Sequence, residues 1–135
     1  MRRHLKFLAL ITAMLSGCSD DNENVKPKTT HEVVEIAVLE AAATGKVGEE
    51  FEIRVRTVPN NGCWGSVNVT LSQDDDHHYT LSADGTFTVN NPGVCPDNLI
   101  VEDTIIRVSP SVAGAYYFKA NSEPYIVLRD TVEVE

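Results

Sequence analysis

Glu50-Phe51-Glu52-Ile53-Arg54-Val55-Arg56-Thr57 alternates charged and apolar or hydroxyl residues without a break, and Val58 ends the pattern. A period of two belongs to a strand with one wet face and one dry face, because successive side chains point to opposite sides. Phe51, Ile53, Val55 and Thr57 are therefore expected inward, with the glutamates and arginines outward. Pro59-Asn60-Asn61-Gly62 then supplies a turn.

The same signal spreads in both directions from this stretch. Trp64 to Leu71 reads as a strand with Val67, Val69 and Leu71 on one face, and Glu32 to Val38 is rich in β-branched residues. Tyr79–Ser82 and Thr86–Val89 flank Ala83-Asp84-Gly85, which predicts a hairpin turn there. Asn90 to Asn98 is a long loop with two prolines and a glycine. Leu99 to Val108 is a strand region with a break expected near Asp103. Ser109 to Gly114 is a turn, and Ala115–Ala120 and Tyr125–Glu135 complete the set. The one helix-favouring stretch, Leu39 to Ala43, is short and is closed by Gly45 and Gly48. Seven or eight short strands separated by turn residues predict an all-β, antiparallel β-sandwich.

Length and charge set the outer limits. The chain has 135 residues, enough for one domain. Its 42% apolar content excludes a mainly disordered chain. Eleven basic residues against 20 acidic ones give a formal charge of −9, which argues against a nucleic-acid partner.

The N-terminus reads as an address. Arg2 and Arg3 precede an apolar run from Leu5 to Leu15 that contains Lys6 and Thr12. That run has 11 residues, where a membrane-spanning helix needs about 20. Leu15-Ser16-Gly17-Cys18 resembles the lipobox of bacterial lipoproteins. The resemblance implies cleavage after residue 17 and acylation of Cys18, leaving a lipid bilayer as the partner of the mature N-terminus. Ser19 after the cysteine resembles an outer-membrane destination. Asp20-Asp21-Asn22-Glu23 resembles the export signal of surface lipoproteins in Bacteroidetes-type bacteria, with an ordinary solvated linker or a periplasmic location as the alternatives. The expected organisation is a signal peptide over 1–17, a lipidated polar tether over 18–31 and a folded domain over 32–135. Cleavage would remove Arg2, Arg3 and Lys6 and no acidic residue, leaving 8 basic against 20 acidic groups, a formal −12.

Within the domain, Gly114-Ala115-Tyr116 before an alternating segment resembles the tyrosine corner of immunoglobulin-like domains. Phe118 stands where that family commonly has its intersheet cysteine, so the usual core disulfide is not expected. The chain from about residue 40 onward also resembles small immunoglobulin-like lipoproteins of the Bacteroidetes type. That resemblance rests on Gly45-x-x-Gly48, two central cysteines and the late Gly-x-Tyr segment, and it implies a fold and no particular chemistry.

With Cys18 assigned to lipid, Cys63 and Cys95 remain, 32 positions apart. Outside the cytoplasm they are expected to form a disulfide. They lack the Cys-x-x-Cys spacing and basic neighbours of a redox pair. The most polar island is Gln73-Asp74-Asp75-Asp76-His77-His78. Asp74, Asp76 and His78 are weak candidates for a cation, and a solvated hairpin loop is the simpler reading. No nucleophile elbow, phosphate loop or paired-carboxylate arrangement is present, so catalysis and a cofactor are not expected. Trp64, Tyr79, Tyr117 and Tyr125 are candidate ligand-binding rings, with core packing the alternative for Trp64 in particular. The expected function is a non-catalytic, lipid-anchored accessory module of the cell envelope that binds a glycan or protein. A passive assembly protein and a metal-dependent hydrolase are the alternatives.

Overall fold

A computed structural model describes residues 26–90, 93–123 and 126–135. The described residues form nine strands: β1 (Lys28–Val33), β2 (Ile36–Ala41), β3 (Thr44–Gly45), β4 (Phe51–Thr57), β5 (Trp64–Gln73), β6 (His78–Val89), β7 (Glu102–Val108), β8 (Gly114–Glu123) and β9 (Ile126–Val134). They build two sheets in an all-β, sandwich-like arrangement. The smaller has the order β2-β4-β7. The larger runs β1-β6-β8-β9-β3, with β5 also paired to β6. β5 occupies one edge of β6 over residues 79–87. β1 and β8 therefore share the other edge, β1 along residues 84–89 and β8 along residues 78–81. The β6–β8 and β3–β9 pairs are parallel, and the other pairs are antiparallel.

β4 behaves as its alternation dictates. Phe51, Ile53, Val55 and Thr57 are buried and Glu52 and Arg54 are exposed. Facing them are Leu81 and Ala83 of β6, Tyr116, Phe118 and Ala120 of β8, and Val132 and Val134 of β9. Phe51 meets Tyr116 and Phe118 edge-on, at centroid distances of 6.4 and 5.9 Å. Each fully buried large side chain of this kind contributes about 1.5–3 kcal/mol from water exclusion.

The structure corrects several local expectations. The segment 32–38 is not one strand: Val34 and Glu35 carry the chain from β1 in the large sheet to β2 in the small one. Residues 39–41, part of the helix-favouring stretch, belong to β2. β1 begins at Lys28, inside the stretch read as tether. β7 passes through Asp103 without a break.

The clearest correction concerns Ala83-Asp84-Gly85. No hairpin turns there, because β6 is continuous from His78 to Val89. Gly85 is instead a close-approach residue. A Cβ on it would lie 3.2 Å from both the Trp64 ring and Val34. The turn of this hairpin lies earlier, between β5 and β6, where Asp74 N–H donates to the His78 carbonyl at 2.8 Å.

Candidate functional site

The aromatic candidates separate by the face of the large sheet that each occupies. Trp64 lies on the inner side, half-buried at one end of the sandwich. Its ring packs on Phe87 at 5.2 Å and closes over Gly85, and its indole N–H points to the Asn60 side-chain oxygen at 3.4 Å. That arrangement is packing, and it is not the centre of the core. Tyr79 also faces inward, stacked on Phe118 at 5.2 Å and on Tyr116 at 6.1 Å. Burial raises its phenol above the ordinary value. Tyr125 and Cys18 lie outside the described residues.

Tyr117 is the candidate ring that faces outward. Strand alternation separates it from Tyr116: Tyr116 is 2% exposed and Tyr117 45%. The parallel register sets His78 beside Tyr117. Their rings stack at 4.9 Å, with an interplanar angle of 16°. Lys119 follows two residues on, and β9 brings Thr131 opposite Tyr117 and Arg129 opposite Lys119. Together these groups border an open depression of about 320 Å³, which Tyr79, Phe118 and Asp130 also line.

The β5–β6 turn supports this face. The Asp75 carboxylate accepts the backbone N–H groups of His77 and His78 at 3.0 and 2.9 Å. It also lies 2.7 Å from the His78 Nδ1 atom. The His77 backbone bond, then the His78 side chain, hold this carboxyl below its ordinary range. The Asp74 carboxyl is lowered as well, first by the Thr80 hydroxyl at 2.6 Å and then by Lys119 at 3.1 Å. These bonds fix the ring of His78 and the position of Lys119. Arg129 is drawn into no ion pair among the described residues.

Sequence reasoning missed Lys119, Arg129 and Thr131, because only the strand register brings them together. It had no signal for the parallel β6–β8 pair. Two of the three candidate cation ligands are engaged elsewhere, Asp74 with Thr80 and Lys119, and His78 with Asp75, while Asp76 is exposed in the β5–β6 turn. Among the described residues no group of three or more His, Cys, Asp or Glu is placed to hold a metal ion. The His78–Asp75 pair orients an imidazole, and no hydroxyl or thiol among the described residues hydrogen-bonds to its other ring nitrogen.

Cys63 and Cys95 are joined by a disulfide. It pins the loop before β7 to the start of β5, and Gly62 N–H reinforces it by donating to the Pro96 carbonyl at 2.8 Å. The Tyr116 hydroxyl donates to the Val112 carbonyl at 2.9 Å, four residues upstream.

Fold and site together define a two-sheet β protein with a small aromatic and cationic platform on the outer face of its larger sheet. No family model, curated protein or solved structure matches the chain. No helix among the described residues is long and apolar enough to cross a membrane.

Proposed function

We propose that this protein is a lipid-anchored accessory module of the cell envelope that binds a glycan without catalysing its conversion. The observation that carries the glycan reading is the exposed Tyr117–His78 stack with Lys119, Arg129 and Thr131 around it. An exposed aromatic face takes up the C–H face of a sugar ring, while flanking donors take its hydroxyl or carboxylate oxygens. The platform is shallow and preformed, which suits one or two sugar units of a longer chain. Anchoring through acylated Cys18 in the outer membrane, with the domain facing outward, rests on the lipobox-like ending and the acidic run behind it.

The sandwich is read as immunoglobulin-like. In support are the corner bond from Tyr116, the three-stranded β2-β4-β7 sheet and the parallel β3–β9 pair at the sheet edge. The parallel β6–β8 pair is a departure from that pattern. The relationship is one of architecture, and function is argued from the site alone.

A glycan array probed with the purified protein tests the binding reading. Tyr117→Ala is expected to lower retention on any bound glycan at least tenfold while leaving the unfolding midpoint nearly unchanged, since the ring is exposed. Binding that survives this substitution, or an array with no signal, overturns the glycan reading. A second reading, an assembly protein of the envelope, is favoured by a separate observation, the free edge of β5.

A further inference from the structure

Strand β5 is an open edge of the larger sheet. β6 covers one side of it, and no strand covers the other among the described residues. Free edges attract other strands, and proteins protect them with charge, proline, bulges or shortness. The other strands with a free side follow that rule. β1 carries Lys28 and Glu32, β2 carries Glu40, β7 carries Glu102, Asp103 and Arg107, and β3 has 2 residues. β5 does not follow it. Its 10 residues, Trp-Gly-Ser-Val-Asn-Val-Thr-Leu-Ser-Gln, contain no charge and no proline. Its single defence is an irregularity between Gly65 and Asn68, where Ser66 has a φ of 49°. From Asn68 to Gln73 the ladder is regular.

The side chains of β5 are also incompletely covered. The inward row on β6, Leu81 and Ala83, is buried to 1% and 2% exposure. The continuing row on β5, Val67, Val69 and Leu71, is only half-buried. The smaller sheet has three strands and does not extend far enough to cover it. An apolar row facing the core side and a Ser/Asn/Thr row facing outward run side by side along an uncharged edge.

We propose that β5 pairs antiparallel with β5 of a second copy of this chain, joining two large sheets into one. Self-complementarity selects this partner. Reversed about Thr70, the apolar row of β5 falls beside its own apolar row and the polar row beside its own polar row, and the strand carries no charge that would oppose the contact locally. Symmetry selects the register. A two-fold axis perpendicular to the sheet keeps both cores on the same side only if each residue meets one of the same parity. Centring the axis on Thr70 sets Thr70 opposite Thr70 of the second copy, Val69 opposite Leu71, and Asn68 opposite Ser72. Val69 and Leu71 then gain apolar neighbours, Val67 meets the Gln73 side chain, and Asn68, Thr70 and Ser72 gain hydrogen-bonding neighbours. The pairing is independent of the glycan reading, because Tyr117 lies on the outer face and is untouched by it.

The test uses the full chain in cells, with a photo-crosslinking benzoylphenylalanine at position 70. The expected product has twice the chain mass, and the same probe at Glu40 gives none. Asn68→Lys with Ser72→Lys places like charges opposite each other in the proposed register and is expected to abolish the product. Asn68→Lys with Ser72→Glu places opposite charges there and is expected to retain it. Persistence of the Cys63–Cys95 bond reports that each variant is folded. Crosslinking only to a different protein, no crosslink at all, or equal behaviour of the two double variants overturns the proposal.

Discussion

Tyr116 and Tyr117 are adjacent in sequence and do opposite work. The first is buried, and its hydroxyl is satisfied by the Val112 carbonyl at 2.9 Å. Tyr116→Phe removes the donor and leaves that carbonyl without it, and is expected to cost about 1–2 kcal/mol in a denaturant titration. On the other sheet, Asp103 takes two bonds from Arg56, at 2.8 and 3.0 Å, and one from Arg54 at 3.4 Å. The bond from Arg56 is the main cause that lowers its carboxyl from 3.8 to about 2. A carboxyl with a depressed folded-state value is less protonated when folded than when unfolded. Its stabilising effect is therefore complete above the ordinary value and disappears as pH falls from about 4 to about 2. The urea midpoint should drop more steeply across that window in the wild type than in Asp103→Asn. Some slope should remain in the variant, because Asp74 and Asp75 are lowered too.

Among the elements, the loop before β7 depends most on a single covalent bond. Residues 93–101 contain no strand, and Val94 and Leu99 are exposed. Replacing Cys63 and Cys95 by alanine frees a loop of 32 positions and is expected to cost about 3–4 kcal/mol, read as a lowered thermal midpoint. The strand elements were largely legible from sequence, and the reason is period. β4 matched residue for residue because charge and apolarity alternate cleanly there. β6 did not match, because Asp84-Gly85 carries turn chemistry and the sequence does not reveal that Trp64, twenty-one residues earlier, occupies the space over the glycine. The platform was legible only in part. Tyr117 follows from alternation against Tyr116. Its neighbours Lys119, Arg129 and Thr131 depend on register between strands, and Tyr79 turned inward because Phe118 and Tyr116 offered it a stack.

At the scale of the whole molecule, acidic charge, anchor and platform belong together. An acidic domain is repelled by anionic headgroups, so under the proposed anchoring attachment would fall to an acyl chain on Cys18. Labelled palmitate should enter the protein in cells and vanish with Cys18→Ala, and the variant should leave the membrane fraction. The sandwich also has a consequence for the order of events during synthesis. β9 is the last strand, and it alone joins β8 to β3, with Thr44 lying beside Glu133. Val132 and Val134 fill the core, and Glu135 exchanges backbone bonds with Gly45 and Val47. The larger sheet therefore cannot close while residues 126–135 are still being made. Under the proposed export from the N-terminus, the larger sheet would stay open, and fit for threading, until residues 126–135 have followed.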